Sequence, residues 1–449
     1  MPILNWIGKD AVVNHDKDVP FRLLKKNKSK SVGDSENLII EGDNLEALKA
    51  LLPYYRNKIK CVYIDPPYNT GNEDWVYNDN VDSPKIQKWL GKVVDSDDLT
   101  RHDKWLCMVY PRLKILKELL REDGVIFISI DDNEQANLKK ILDEIFVGDN
   151  FLAKLVWNTE GATDNQLEIK IVHEYIYCYV KNISLKNNAI SKVIDPSTKK
   201  DSKVFRKYIE NSIIKNGSGN PVSSVTLPVN FPCEIKELKM GKSKIEKEYF
   251  EKVENLGYVT RELTAKYKVD YPIRFDPLIV KNGLLVKPCR VLSGWANVNK
   301  LKTYIENDCK EIIDTDGAEM EFYLSKKGVI IYRKERIDER HILSVIRDVG
   351  TTNQARSALE KMGITFPFPK PLNLIKYLIE IGSKHDDIIL DSFAGSGTTG
   401  HAVLELNKED KGKRKFILVE LEPEICEKVT SLRLKKAIKG YSYKNKKTK

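Results

Sequence analysis

Short apolar runs followed by helical periodicity occur near both ends of the chain. Residues 61–64 and 388–390 are runs of β-forming residues that end at a Pro-rich and a Gly-rich turn. A similar run at 37–43 is followed by leucines at helical spacing. Strands that alternate with amphipathic helices are typical of a parallel sheet covered on both faces. The pattern therefore predicts a doubly wound, mostly parallel, Rossmann-like α/β sheet with strands from both ends of the chain.

The middle of the chain, 181–365, has a different character. Lysines cluster with aromatic residues at 199–208 and 261–268, and Asn-, Ser- and Gly-containing loops interrupt short mixed elements. We therefore expect an inserted α+β domain between two halves of the sheet. Outside it, further strands are predicted at 124–130, 151–157, 175–180 and 416–420, and helices at 105–120, 134–145, 372–381 and 401–406.

The strand at 61–64 runs into Asp65, Pro66, Pro67 and Tyr68. Prolines cannot continue a β ladder, so the strand ends there and places a carboxylate and a ring at the carboxyl edge of the sheet, where open α/β sheets bind ligands. Asp65 and the Pro66 carbonyl could accept both N–H bonds of a nucleobase amine and direct its lone pair toward an electrophile. Tyr68 offers a ring on which a base can stack. A plain strand end, with Asp65 as a helix cap, is the alternative interpretation.

A Gly-rich turn follows the strand at 388–390. Gly395, Gly397 and Gly400 satisfy the G-x-G-x-x-G pattern, and a later strand ends in Glu420. Glycines let a nucleotide ligand approach the backbone, and the acid can accept hydrogen bonds from ribose hydroxyls. Because NAD and S-adenosylmethionine both contain adenosine, the turn alone leaves an NAD-dependent oxidoreductase open.

Together these motifs resemble a known family. Asp-Pro-Pro-Tyr at 65–68 and Phe-Ala-Gly-Ser-Gly-Thr-Thr at 393–399 resemble motifs IV and I of amino-group DNA methyltransferases, in the order of the β class. Four further stretches are similar to Mod subunits of Type III restriction–modification systems, at 69–77, 98–106, 110–113 and 124–134.

The resemblance implies an enzyme that transfers a methyl group from S-adenosylmethionine to N6 of adenine in a specific DNA sequence, after the base has left the duplex. The implied catalytic residues are Asp65, Pro66, Pro67 and Tyr68. The implied cofactor-binding residues are Asp43, Asp65, Lys370, Asp391, Phe393, Ala394, Gly395, Ser396, Gly397, Thr398, Thr399 and Glu420. Asp43 would contact the cofactor's adenine amino group, or cap the next helix, and Lys370 would pair with its carboxylate. Asp at the first motif position favours adenine N6 over cytosine N4 as the target atom. Cytosine N4 is kept as an alternative.

The polar interval 69–104 is predicted to form a loop that closes over the target base. Trp75, Tyr77 and Arg101 are its candidates for DNA contact. The predicted organisation is an N-terminal arm at 1–36, a catalytic half at 37–180, a target-recognition domain at 181–365, a cofactor-binding half at 366–430 and a basic tail at 431–449. An ordinary insertion with a solvated charged face is the alternative for the middle segment.

Composition adds expectations about partners and location. The net charge of +10 suits a polyanion such as double-stranded DNA. The scattered cysteines and histidines predict free thiols in a reducing cytoplasm and no metal, and His173-Glu174 is expected to be a hydrogen-bonded structural pair. No apolar run approaches the roughly 20 residues that a bilayer needs, and no signal peptide is recognised.

The resemblance further implies a homodimer and a Res-type restriction subunit. An RNA methyltransferase and an inactive DNA-binding module are the remaining alternative functions for the chain.

Overall fold

The computed structural model describes residues 3–33, 35–71, 100–159, 169–337 and 341–441 of the 449-residue chain. The chain divides into two compact units. The first consists of Met1–Thr198 together with Arg340–Lys449, and the second of Lys199–Glu339. The first unit is therefore built from both ends of the chain, as the strand pattern predicted.

The regular elements of the described residues are numbered in chain order. The strands are β1 (Leu38–Glu41), β2 (Ile59–Ile64), β3 (Leu120–Ile130), β4 (Phe151–Asn158), β5 (His173–Val180), β6 (Tyr208–Ser212), β7 (Val222–Leu227), β8 (Leu238–Met240), β9 (Ile273–Arg274), β10 (Leu278–Lys281), β11 (Leu284–Leu285), β12 (Cys289–Gly294), β13 (Ile312–Ile313), β14 (Glu319–Leu324), β15 (Ile330–Glu335), β16 (Val345–Ile346), β17 (Ile388–Asp391) and β18 (Lys415–Glu420). The helices are α1 (Lys9–Val12), α2 (His15–Asp18), α3 (Asn44–Tyr55), α4 (Arg101–Leu119), α5 (Gln135–Phe146), α6 (Lys186–Ala189), α7 (Lys247–Leu256), α8 (Arg261–Lys266), α9 (Val298–Glu306), α10 (Thr352–Lys361), α11 (Leu372–Gly382), α12 (Thr398–Asp410), α13 (Pro423–Ile425) and α14 (Leu432–Lys439). Short 3-10 turns lie at Gly148–Asn150, Ile183–Leu185 and Lys203–Phe205, and a π-helical turn lies at Cys426–Ser431.

Eight strands of the first unit form one sheet in the order β1-β18-β17-β2-β3-β5-β4-β16. Five of the seven neighbouring pairs are parallel, and β5 runs antiparallel to both β3 and β4. β17 pairs with β2, Ile389 opposite Cys61 and Leu390 opposite Val62. This pairing joins the strands from the two ends of the chain. It confirms the predicted mostly parallel sheet, while the reversal of β5 was not foreseen.

Helices cover both faces of this sheet, because alternate residues of β2 enter different cores. Val62 and Ile64 pack with residues of α3, α4 and α5. Cys61 and Tyr63 pack with residues of α11 and α12. Every residue of β2 is buried, as expected for a central parallel strand. The sheet is thus doubly wound, as predicted.

The second unit is an α+β body. Its strands form three antiparallel sheets in the orders β11-β10-β8, β7-β12-β9 and β13-β14-β15-β6. Phe231, Tyr304 and Phe322 lie in its larger core, and Tyr249 and Val253 of α7 lie in a smaller one. This compact body spans 199–339, so the flanking parts of the predicted interval 181–365 belong to the first unit.

Packed structure extends into both predicted terminal segments. Trp6 and Val12, in the predicted arm at 1–36, are buried in the core that contains α4. The predicted basic tail at 431–449 contains α14, on which Arg433 and Leu434 are buried. Residues 442–449 lie outside the described part of the chain. Within the described ranges, no helix combines the length and apolar character needed to cross a membrane.

Candidate active site

Asp65 lies immediately after β2, at the edge where the parallel strands end. Its Oδ2 is 3.0 Å from Nζ of Lys370, whereas its Oδ1 is buried without a hydrogen-bond partner among the described residues. Burial raises the pKa of the Asp65 carboxyl group, and the charge of Lys370 acts in the opposite direction. Because buried polar atoms in proteins nearly always have partners, Oδ1 is an acceptor suited to an N–H donor of a ligand.

The backbone that follows Asp65 is held by two helices. The carbonyl of Pro67 accepts a hydrogen bond from Nε1 of Trp105 at 2.7 Å. Asn69 has a left-handed backbone, and its Nδ2 donates to Oε1 of Glu134 at 2.5 Å. The same oxygen lies 2.6 Å from Nδ1 of His102, and burial raises the pKa of the Glu134 carboxyl group. The beginnings of α4 and α5 therefore fix the segment on both sides of the tyrosine.

Glu174 enters the site from β5. Its Oε2 accepts a hydrogen bond from the hydroxyl of Tyr68 at 2.8 Å and lies 3.3 Å from Nζ of Lys370. Since β5 runs antiparallel to β3, its first residues lie at the edge where β2 and β3 end. The sequence predicts a structural pair of His173 and Glu174, but the contacts that the structure shows are those of His173 Nε2 with the hydroxyl of Tyr175, at 2.9 Å, and of Glu174 with Tyr68 and Lys370. The sequence contains no signal for the direction of β5, so Glu174 was not assigned to the site.

The glycine turn between β17 and α12 is explained by the packing of the chain itself. Gly395 and Gly397 have φ values of 48° and 73°. A Cβ atom on Gly397 would lie 3.1 Å from Cγ2 of Thr430, and one on Gly400 would lie 3.0 Å from side-chain atoms of Leu418 and Leu434. The last two glycines thus allow α12 to approach neighbouring elements closely, one of the roles that glycines serve in nucleotide-binding turns.

Two acids of the predicted cofactor set hold this turn in place. Oε2 of Glu420 accepts the backbone N–H of Gly395 at 2.7 Å. Oδ1 of Asp391 accepts the N–H of Phe393 at 2.9 Å, and its Oδ2 accepts the hydroxyl of Thr399 at 2.5 Å. Burial raises the pKa of Asp391 to about 7 and also raises the pKa of Glu420. Both acids therefore order the turn, whatever further contacts they make with a ligand.

Arg433, on α14, stabilises the glycine turn through hydrogen bonds. Its Nη1 donates to Oγ1 of Thr398 at 2.7 Å and to Oγ of Ser396 at 3.0 Å, and its Nε donates to Nδ1 of His401 at 3.2 Å. Burial lowers the pKa of Arg433 to about 10 and that of His401 to about 4. The sequence analysis placed Arg433 in the tail, since a lysine-rich end offers no sign that one of its cations is buried.

The remaining predicted residues have different surroundings. Asp43 is the N-cap of α3 and accepts the N–H of Glu46 at 2.9 Å, which confirms the capping role and leaves its contact with the cofactor as a prediction. Ala394 is buried in the glycine turn. Arg101 is half-buried at the first residue of α4. Trp75 and Tyr77 lie outside the described residues. In the ranges that the structure describes, no group of three or more His, Cys, Asp or Glu side chains could hold a metal ion.

The fold and this edge define a doubly wound α/β protein in which an acidic Pro-Pro-Tyr motif and a nucleotide-type glycine turn follow neighbouring strands. The model of the N6/N4 methyltransferase family, described as DNA methylase, matches residues 59–431. The chain belongs to this DNA methylase family.

Curated relatives agree with this membership. The Mod subunit of the Type III restriction–modification enzyme EcoPI, from Escherichia phage P1, is 33% identical over 93% of this chain and 63% of its own length. The EcoP15I Mod subunit of Escherichia coli is 32% identical over 93% and 64%. The Type II methyltransferase M.KpnI of Klebsiella pneumoniae is 30% identical over 88% and 82%. The chain thus spans less than two thirds of the length of these Mod subunits.

Among solved structures, the M1.HpyAVI–SAM complex aligns with 89% of this chain and 98% of its own, at 14% identity and a TM-score of 0.37. The strand pairing of this chain is what defines its fold.

Proposed function

We propose that this chain is a site-specific DNA methyltransferase that modifies N6 of adenine, as the Mod-type subunit of a restriction–modification system. The observation that carries the proposal is Oδ1 of Asp65, a buried acceptor without a partner among the described residues, at the end of β2. The glycine turn follows β17, the strand that pairs directly with β2. An acceptor for an exocyclic amine and a turn suited to adenosine thus belong to neighbouring strands.

We assign each catalytic residue a role from the group that it offers at this edge. Oδ1 of Asp65 and the carbonyl of Pro66 accept the two N–H bonds of the amine, which directs the nitrogen lone pair away from the base plane. The hydrogen bond from Trp105 to the Pro67 carbonyl and the fixed φ angles of both prolines hold these acceptors without reorganisation. The ring of Tyr68 stacks on the base, which is worth about 1–3 kcal/mol.

S-adenosylmethionine fits the site as the group that supplies an electrophilic methyl at its sulfonium. Oγ of Ser392 is, like Oδ1 of Asp65, buried without a hydrogen-bond partner among the described residues, so two polar atoms near the strand ends are suited to a ligand. Glu420 would accept its ribose hydroxyls, because each carboxylate oxygen can accept more than one hydrogen bond. The cofactor contacts of Asp43, Asp391 and residues 393–399 rest on the family motifs. For Lys370 the motifs give pairing with the cofactor carboxylate as one of two alternative roles, since its Nζ lies 3.0 Å from Asp65.

The substrate would be double-stranded DNA, from which the target adenine is flipped into the site. The names of the EcoPI and EcoP15I relatives, as Mod subunits of Type III enzymes, support a Res-type partner. A homodimer and a cytoplasmic location complete the proposal. Sedimentation that finds one chain per DNA duplex would contradict the dimer.

Cytosine N4 is the second candidate target, because the matching family covers both amino groups. Membership of a DNA methylase family weighs against an NAD-dependent oxidoreductase. The Asp-Pro-Pro-Tyr motif favours adenine within the family.

The test combines product and ligand. DNA incubated with the purified chain and S-adenosylmethionine should show N6-methyladenine at one recurring sequence when it is read by long-read sequencing. S-adenosylmethionine, and not NAD, should raise the melting temperature. A ligand concentration of 100 times Kd would stabilise the fold by about 2.7 kcal/mol. Modified cytosine would select the second candidate, and stabilisation by NAD alone would contradict methyl transfer.

A further inference from the structure

Four side chains from three separated parts of the sequence form one ionic cluster at the edge of the sheet. Nζ of Lys370 lies 3.0 Å from Oδ2 of Asp65 and 3.3 Å from Oε2 of Glu174. The hydroxyl of Tyr68 donates to the same Glu174 oxygen at 2.8 Å. Asp65 and Tyr68 belong to the Asp-Pro-Pro-Tyr motif. The motif does not predict that Glu174 joins them, nor that Lys370 lies next to Asp65.

The charges of the cluster depend on one another. Burial is the largest influence on the pKa of Lys370 and lowers it, but the charges of Asp65 and Glu174 outweigh burial and raise the pKa above its ordinary value. The lysine therefore remains a cation that two carboxylates share. A buried charge is costly unless it is paired, so the loss of one carboxylate would rearrange the other contacts.

The cluster also orients the two motif side chains. Lys370 occupies Oδ2 of Asp65, which leaves Oδ1 as the acceptor without a partner among the described residues. Nζ of Lys370 lies over the ring of Tyr68, 4.7 Å from its centroid, so the opposite face of the ring is the one suited to a stacked base. Burial, together with the charges of Asp65 and Glu174, raises the pKa of Tyr68, so its hydroxyl keeps the proton that it donates to Glu174.

We propose that Glu174 and Lys370 are positioning residues, which hold Asp65 and Tyr68 in the geometry required for methyl transfer. This inference rests on the proposed function and assigns Lys370 to the reacting end of the site. The motif-based prediction assigns it to the carboxylate of the cofactor. The two roles of Lys370 lead to different kinetics.

Steady-state kinetics of Glu174→Gln and Lys370→Met distinguish these roles. Misplacement of reacting groups by about 1 Å can cost about 10²-fold in rate, so kcat should fall by about that factor in both variants. The KM for S-adenosylmethionine should stay unchanged, because neither side chain would touch the cofactor. A raised KM for S-adenosylmethionine with an unchanged kcat in Lys370→Met would overturn the proposal and support pairing with the cofactor carboxylate.

A double-mutant cycle tests whether Glu174 acts through Tyr68. Tyr68→Phe removes only the hydroxyl that contacts Glu174, so Glu174→Gln combined with Tyr68→Phe should cost less than the product of the two single effects on kcat. Glu122→Gln and Lys408→Met are the matched controls, since Glu122 lies at the other end of β3 with a 61% exposed side chain and Lys408 is exposed on α12. Independent effects of the two site mutations would overturn the role of Glu174.

Failure of the proposed function can be recognised separately, because the wild-type chain would then transfer no methyl group. The same cycle is in that case measured on the free energy of unfolding. Non-additive effects of Glu174→Gln and Tyr68→Phe would support the cluster, and additive effects would overturn it.

Discussion

At the scale of single residues, Asp65 differs from an ordinary paired carboxylate because its two oxygens have different surroundings. Oδ2 contacts Lys370, and Oδ1 is buried without a partner among the described residues. Lys370 also contacts Glu174. Removal of the Asp65 carboxylate would therefore delete Oδ1, which accepts no hydrogen bond from the described residues, together with Oδ2, and Lys370 would keep Glu174 as its partner.

We predict that Asp65→Ala loses methyl transfer and keeps the fold. Loss of one preorganised hydrogen-bonding group typically costs about 10²–10³-fold in rate, and both acceptance and orientation are lost here. The free energy of unfolding should fall by no more than about 1–3 kcal/mol, because Lys370 loses one carboxylate and keeps Glu174. Filter-binding assays of methyl incorporation and urea denaturation measure the two effects. Asp149→Ala, at an exposed position, is the control, and turnover near that of the control would exclude Asp65 from catalysis.

His401 gives a second prediction at this scale, on stability against pH. Burial and then the neighbouring Arg433 lower its pKa from 6.5 to about 4 in the folded chain. The folded state therefore binds the proton less readily than the unfolded state, so His401 contributes stability above pH 6.5 that is lost as the pH falls toward 4. The full shift corresponds to about 3 kcal/mol.

The measurement is the difference in unfolding free energy between the wild type and His401→Gln. Glutamine retains an oxygen that can accept from Arg433 and does not titrate. The wild type should lose stability relative to this variant between pH 6.5 and 4. The raised pKa of Asp391 acts in the opposite direction in this range, but it is common to both proteins and cancels in the difference. A difference that does not vary with pH would contradict the burial of an uncharged His401.

At the scale of elements, the glycine turn combines a conformational and a packing requirement. Gly397 has a left-handed backbone, and its missing Cβ leaves room for Thr430 in the π-helical turn Cys426–Ser431. The hydroxyl of Thr430 also donates to the carbonyl of Gly395 at 2.6 Å. A side chain at position 397 would therefore disturb the contact between Thr430 and the turn, whether or not a ligand is bound.

Gly397→Ala should accordingly destabilise the fold by about 1–3 kcal/mol, from the left-handed backbone and from the contact with Thr430. Gly33→Ala is the matched control, since Gly33 has a φ of 64° and a Cβ added there meets nothing within 4 Å. The difference between the two variants in urea denaturation isolates the packing contribution. Equal losses of unfolding free energy in the two variants would show that Thr430 can move aside at no cost. Larger residues at position 397 would then be suitable probes of cofactor binding.

The direction of β5 could not be predicted from the sequence. The strand itself was predicted at 175–180, because its apolar residues mark it as buried. Its pairing with β3 is antiparallel, and this places Glu174 at the carboxyl edge beside Tyr68. Strand direction depends on which neighbouring strands β5 pairs with, and no local pattern encodes that pairing.

At the scale of the whole molecule, the compact second unit at 199–339 interrupts the first and has cores of its own. The residues proposed for chemistry all lie in the first unit. This division is consistent with the prediction that the middle of the chain is a target-recognition domain, separate from the unit that modifies the base.

Exchange of residues 199–339 for the corresponding segment of another Mod-type protein should therefore change the methylated sequence and leave the modified atom unchanged. Base-edge contacts carry sequence information, whereas Asp65 is proposed to contact an amine that every flipped adenine presents. Long-read sequencing of DNA from cells that express the exchanged protein gives both results. Wild-type chain expressed in parallel is the control, and an unaltered methylation sequence would place recognition elsewhere.

The sequence by itself determined the class of sheet, the places where its strands end and the two motifs, because these depend on local patterns of burial, proline and glycine. It also carried the resemblance to the DNA methylase family, to which the chain belongs. The tertiary structure decided which distant residues complete the site. Glu174 and Arg433 are ordinary charged residues in sequence, and only the antiparallel course of β5 and the packing of α14 place them beside Tyr68 and the glycine turn. The physical reason is that the pKa and the partners of a charged group depend on what surrounds it in space, and residues far apart in the chain supply those surroundings.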